Sequence, residues 1–275
     1  RLKNNIAVIL QVYNEESRLR SCLNSFYWAD ELLLIDKSST DKTVEIAKEF
    51  TKNIVIVPFS EGSKGTENNI NRFNIDSEWI FFITASSMIH PDIVDDIIML
   101  TTDNNFNYDI VGIPYAMYSF GIRSKRSPWT DERKYTLLRK SKLISSDKLH
   151  HENQSSSSRR YHMKIIDSER VLYHCTNDNA DNYFKRQMMY TSYESHYEKT
   201  TLNKIFLEIL KSIGIVVLKR RFFLGGKDAL ALSMAYISYH MMKFVYYWDR
   251  NNKNNGDNVY PKIRGKIDKL WQEKK

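Results

Sequence analysis

The feature that most constrains this chain is the regular alternation, across its first half, of short apolar runs with stretches of helical periodicity. Ile6–Val12 is an apolar run, and residues 16–26 follow with Leu19, Leu23 and Phe26 at helical spacing. A second run, 32–35, ends at Asp36. Ser38, Ser39, Thr40 and Asp41 then supply capping chemistry for a helix carrying Val44, Ile46, Ala47 and Phe50. Further runs stand at 54–57, Trp79–Ile83 and 110–113, and Pro91 is placed to open a helix through Ile93, Val94, Ile97 and Ile98. Runs this short need cover on both faces, and the helical segments supply it. The pattern predicts βαβ units and an α/β domain built on a mostly parallel sheet. In such sheets ligands bind beyond the C-terminal strand ends. That rule points to 13–15, 36–41 and 84–87.

Composition narrows the class further. At 42% hydrophobic and 27% charged residues, the 275-residue chain is globular. Its two cysteines, Cys22 and Cys175, form no CxxC, which argues against a disulfide framework or thiolate zinc site and suits a reducing compartment. No signal peptide is visible at the start. Neither GxGxxG nor GxxxxGK[ST] occurs, so dinucleotide and P-loop phosphate sites are not indicated. The formal net charge of +8 suits an anionic partner such as phospholipid or a nucleotide diphosphate. No nucleic-acid partner is expected.

Three stretches carry a resemblance. They are Ile6-Ala-Val-Ile-Leu-Gln-Val-Tyr-Asn-Glu-Glu16, Trp28-Ala-Asp-Glu-Leu-Leu-Leu-Ile-Asp36 and Ser38-Ser-Thr-Asp-Lys-Thr43. In this order the chain resembles bacterial family-2 glycosyltransferases, in particular the lipopolysaccharide-core glucosyltransferase branch. The resemblance implies a GT-A fold, Rossmann-like with helices on both faces of the sheet. It also implies that Tyr13, Asn14, Glu15 and Asp36 bind the uridine of a UDP-sugar. Asp36 has a competing role as a turn residue, and either Glu15 or Glu16 could instead be a solvated helix-start acid.

The family's metal-binding DxD motif is replaced here by Thr84-Ala85-Ser86. Hydroxyls are poor ligands for Mg²⁺ or Mn²⁺. Three readings follow, taken in this order: metal-independent catalysis with Arg or Lys neutralising the diphosphate, metal held elsewhere by residues such as His174 or Asp92, or an inactive chain. Thr84, Ser86 and Arg139 are donor-site candidates, Arg139 as a diphosphate clamp or else as a surface ion pair. By resemblance His174 lies near the leaving phosphates and can ligate metal, a lone histidine after the apolar run 171–173 being more often structural. His151 and Glu152 fall in the family's H-E region, with Glu152 as the general base and His151 as its orienter or as the base itself, against the alternative of a surface pair. Tyr183, Lys185 and Tyr190 match a family pattern, or else form a helix face.

Beyond residue 200 the character changes. Residues 205–218 are apolar but interrupted by Glu208 and Lys211. Lys219-Arg220-Arg221-Phe222-Phe223-Leu224 and an uncharged run, 229–242, follow. Neither apolar stretch reaches the ~20 residues of a spanning helix. Basic and aromatic residues together predict a helix lying on a membrane surface, a buried helical pair or homo-oligomer interface being the alternative. The expected organisation is a catalytic domain over 1–200, an amphipathic segment over 201–250 and a polar, basic, partly disordered tail over 251–275. The expected activity is inverting transfer from a UDP-sugar to a glycan or lipid-linked hydroxyl in cell-envelope synthesis, by a cytoplasmic enzyme peripheral to the inner face of the membrane. The rivals are a non-catalytic GT-A binding module and a nucleotidyltransferase.

Overall fold

The computed structural model describes residues 4–59, 70–129, 132–143, 158–197 and 200–274. Two compact units emerge, residues 1–118 with 131–176 and residues 119–130 with 177–275.

The first unit is built on the strands β1 (Ile6–Val12), β2 (Glu31–Asp36), β3 (Ile54–Ile56), β4 (Trp79–Ile83), β5 (Ser87–Ile89), β6 (Ile110–Ser119), β7 (Arg133–Arg139), β8 (Arg160–His162) and β9 (Leu172–Thr176). Their order is β3-β2-β1-β4-β7-β6-β9-β5, with β8 beside β6. The block β3-β2-β1-β4 is parallel throughout. Beyond it β7 runs antiparallel to β4 and to β6, and β5 antiparallel to β9. The run at 110–113 therefore begins a long strand of the antiparallel half.

β1 shows why its run reads as continuous rather than alternating. Ile6, Val8, Leu10 and Val12 join one core cluster, and Ala7 and Ile9 join the other. Period-two side chains enter two different cores, so every position must be apolar. The larger core takes Leu19, Cys22 and Leu23 of α1 (Leu19–Ser25), Ala47 of α2 (Thr43–Lys48) and Ile93, Val94 and Ile97 of α3 (Pro91–Thr102). The opposite face is covered, among the described residues, by Val57, Ile70, Ile75 and Phe73. α3 starts where Pro91 predicts, after His90, whose side chain accepts the Asp92 N–H.

The second unit is helical: α4 (Ala180–Tyr197), α5 (Leu202–Gly214), α6 (Gly226–Asn251) and α7 (Gly256–Glu273). A π-helical turn, Ile215–Lys219, and a 3-10 turn, Phe222–Leu224, link α5 to α6. The unit divides from the sheet after Thr176, whereas the sequence had suggested residue 200. α4 carries Tyr183, which is fully buried, donates to Ala235 O and packs on Phe120 and Trp129. The helix-face reading of that tyrosine therefore holds. The tail is also ordered differently from expectation, since most of 251–275 forms α7, capped by the Asn255 side chain on Asn258 N. No helix among the described residues is long and apolar enough to cross a membrane.

Candidate active site

Parallel pairing sets Val12 beside Asp36 and Leu10 beside Ile83. The loops after β1, β2 and β4 therefore emerge at one sheet edge. The first two are laced together. Ser39 Oγ accepts the Asn14 N–H at 2.9 Å, and Asn14 Oδ1 accepts the Thr40 N–H at 2.8 Å. Thr43 Oγ1 accepts the Glu15 N–H at 2.7 Å, Asp41 Oδ2 accepts the Glu16 N–H at 3.1 Å, and Glu16 Oε2 accepts the Lys42 N–H at 3.0 Å. Asn14 sits at φ 52°, a left-handed conformation that asparagine tolerates better than most residues. The Asn-Glu-Glu signature thus has an architectural use: Asn14 and Glu16 brace the second loop.

Asp36 occupies the centre of this frame. Its side chain is 1% exposed. Oδ2 accepts the Ser39 N–H at 2.9 Å, while Oδ1 is buried with no hydrogen-bond partner among the described residues. An unmatched acceptor of this kind costs roughly 1–3 kcal/mol, more when charged, and calls for an explanation. The turn role and a ligand role are compatible, because each uses a different oxygen.

Three further groups gather here. Tyr13 packs edge-on against Phe59 with ring centroids 4.7 Å apart, and Lys37 Nζ lies 5.7 Å from the Phe59 ring. Burial pulls the Lys37 ammonium down to about 8, opposed by the charge of Glu15. Glu15 itself is bidentate to Arg18, at 2.5 and 2.8 Å. Sequence reading missed Lys37 and Phe59. Lys37 directly follows Asp36 at the predicted edge, so its position was available; its burial was not.

The segment after β4 makes a second cluster at the same edge. Thr84 Oγ1 lies 2.9 Å from Ser86 Oγ and 3.1 Å from Ser87 Oγ. His174 Nδ1 lies 3.2 Å from Ser86 Oγ and 3.3 Å from Thr84 Oγ1. The register Ser87↔His174 between β5 and β9 imposes this meeting of residues 90 positions apart. Tyr115 packs on the imidazole at 5.9 Å, and Lys134 Nζ lies 5.9 Å from the Tyr115 ring. Cys22 lies beneath, its Sγ 3.4 Å from Thr84 O. Burial pushes this thiol up to about 12, so it is a packing group and not a nucleophile.

Mg²⁺ and Mn²⁺ favour carboxylate and other hard oxygen ligands. This cluster offers hydroxyls and one imidazole. Among the described residues no group of three or more His, Cys, Asp or Glu could hold a metal. The donor set does not fit either ion.

Arg139 requires a correction. β7 runs against β4 with Arg139 opposite Trp79, at the N-terminal end of β4 and away from the ligand edge. Its guanidinium stacks 4.5 Å over the Trp79 ring, pairs with Glu78 and donates to Tyr108 O at 2.9 Å and Phe106 O at 2.8 Å. It fastens the sheet's far edge. The antiparallel course of β7 brings Lys134 instead to the ligand side. His151 and Glu152 lie outside the described residues.

Residues 7–169, more than half of the chain, match the sequence profile of glycosyl transferase family 2. The chain belongs to that family. Glycosyltransferase GlyA of Streptococcus pneumoniae is 30% identical over 97 residues, 33% of this chain and 14% of that protein. The uncharacterised glycosyltransferase YibD of Escherichia coli is 20% identical over 96% of this chain and 76% of its own length. Among solved structures, residues 1–349 of TarS from S. aureus align over 88% of both chains at 15% identity, with a TM-score of 0.44. The match to GlyA thus spans a small part of that larger protein. In this member of family 2 the laced loops and the hydroxyl–imidazole cluster occupy the edge where an α/β sheet binds its ligand.

Proposed function

We propose that this glycosyltransferase moves a hexosyl group, with inversion, from a UDP-sugar to a hydroxyl of a glycan or lipid-linked acceptor in cell-envelope synthesis. The observation that carries the donor assignment is the buried Oδ1 of Asp36, which has no hydrogen-bond partner among the described residues. A uracil N–H or ribose O–H satisfies such an acceptor, with Tyr13 and Phe59 offering aromatic surface beside it. Asn14 and Glu15 act by holding the loops and the local field.

In the transfer, the acceptor oxygen forms a bond to the anomeric carbon as the bond from that carbon to the diphosphate oxygen breaks. UDP leaves with the electron pair, and Glu152, oriented by His151, takes the acceptor proton. The developing charge on the diphosphate most needs stabilising. Lys37 and Lys134 are the cations proposed for it, with Thr84, Ser86 and His174 donating hydrogen bonds. This replaces a metal, so turnover is expected to survive EDTA.

UDP release from a panel of UDP-sugars, with and without EDTA, tests the reading. Glu152→Gln should abolish release while sparing UDP binding. UDP binding with no turnover on any donor would favour a non-catalytic module, and no nucleotide-induced rise in melting temperature would sink the donor site itself.

Lys37 adds a pH dependence of known sign. Its charged form holds the anion and is lost as pH rises through about 8, so UDP affinity should fall between roughly pH 7 and 9. Lys37→Met should flatten that profile, as isothermal titration at several pH values would read. Stability should move oppositely: above pH 8 the unfolded lysine binds more protons than the folded one, so this group's contribution rises with pH.

Peripheral membrane contact is supported by the link between α5 and α6, where Leu218, Phe223 and Leu224 are 75%, 60% and 60% exposed beside Lys219 and Arg221. Charge reversal at Lys219, Arg220 and Arg221 should reduce flotation with anionic liposomes.

A further inference from the structure

α7 has no buried residue along its 18 positions. Its large apolar side chains are Tyr260, Ile263, Ile267, Leu270 and Trp271, all 46–61% exposed. Their spacings of three, four, three and one set them within about 100° of arc at 100° per residue. A helix of this length, roughly 27 Å, therefore shows solvent one continuous apolar stripe with an aromatic residue near each end.

Charge is distributed around that stripe in a definite way. On the same projection Arg264 borders it on one side and Lys266 on the other, and Lys262 and Lys269 fall on the back. From Tyr260 to Glu273 there are four cations against two carboxylates, Asp268 and Glu273. Lys274 Nζ stands 5.7 Å from the Trp271 ring.

A stable coiled coil with a second copy would need three to four heptads of apolar seam. Within residues 260–274 the seam is broken instead: Pro261 and Gly265 interrupt helix-favouring sequence, and Lys274 takes the next seam position. A bilayer surface meets none of these objections. It needs an apolar face of modest depth, cations at its border and amphipathic rings at head-group level.

From this we infer that α7 is a membrane-docking helix that lies in the head-group plane of an anionic phospholipid bilayer, apolar stripe down. The inference deepens the peripheral-membrane reading and rests on it, but assigns the contact to the segment whose composition reads as a disordered tail.

The test is flotation of the 275-residue chain with phosphatidylcholine vesicles and with phosphatidylcholine–phosphatidylglycerol vesicles. Wild type should float with the anionic vesicles and far less with the neutral ones. Ile267→Asp and Trp271→Ser should each cut the partition coefficient roughly tenfold or more, the scale of losing one buried large apolar side chain. The pair Arg264→Glu with Lys266→Glu should do so most strongly at low salt. Because these positions are unburied, melting temperature and UDP binding should stay as in wild type, which separates lost docking from lost fold. Three outcomes overturn the proposal. If wild type floats and the α7 variants float equally, α7 is not the docking element, though the membrane reading survives. If wild type floats with neither vesicle, both fall. If sedimentation without lipid shows a dimer that Ile267→Asp splits, the stripe is a self-interface.

Discussion

Asp36→Asn is expected to weaken UDP binding by roughly 10- to 100-fold while leaving the melting temperature of the unliganded protein unchanged or slightly raised. The two effects separate because the two oxygens do different work. Oδ2 accepts the Ser39 N–H and holds the β2–α2 turn, and the carboxamide oxygen of asparagine can keep that bond. Oδ1 has no partner among the described residues. Making it an NH₂ exchanges one polar group without a partner among the described residues for another, so the unliganded fold changes little. It also turns an acceptor into a donor facing the N–H or O–H of the nucleoside. Loss of a hydrogen bond to a charged group is worth about 1.5–3 kcal/mol, which sets the fold-change. Titration calorimetry with UDP, alongside thermal melts without it, reads both. A loss of stability matching the loss of binding would mean that Asp36 is a turn residue alone.

The second large effect belongs to the helical unit. Glu194→Ala is expected to destabilise it by about 3–5 kcal/mol, the usual consequence of removing one partner from a buried ion pair. Glu194 is 3% exposed on α4. Both its oxygens lie 2.8 Å from Tyr239 Oη on α6, and Lys243 Nζ is 3.4 Å away. Lys243 is itself largely buried, and its other acidic neighbour, Glu208 on α5, is 3.8 Å away. Truncation takes the nearer carboxylate from a largely buried ammonium and the acceptor from the Tyr239 hydroxyl. Glu194→Gln should cost less, because the amide oxygen still accepts from Tyr239. Circular dichroism during urea titration would show the alanine variant losing helix at lower denaturant than wild type. A glutamine variant that melts at the wild-type midpoint would show that the charge is unimportant there.

The polar centre of the helical unit also explains why its fold was hard to read. Glu194, Lys243 and Tyr239 look like surface residues in a sequence, since charged groups are rarely buried unless paired. Their pairing joins positions 45 or more apart, which no local pattern encodes. The same holds for the ligand edge. The strand-end rule marked 84–87 and the missing acidic motif marked 84–86, but His174 became their neighbour through the antiparallel pairing of β5 and β9. Arg139 and Lys134 show the reverse failure. Both sit on one strand in a motif-like stretch, but strand direction, absent from the sequence, sends Arg139 to the far edge and Lys134 to the near one.

What the sequence determined by itself was local and periodic: the apolar runs of β1, β2 and β4, the proline start of α3, and the strand-end placement of Tyr13, Asn14 and Asp36. These follow from hydrophobic burial and backbone capping, which act over a few residues and so leave their mark in composition and spacing. The tertiary structure alone decided which oxygen of Asp36 is left unmatched, how far Lys37 is buried, which imidazole joins Thr84 and Ser86, and that α7 carries its apolar stripe uncovered. Each of these depends on desolvation and long-range contact, and those quantities exist only once distant segments have been brought together.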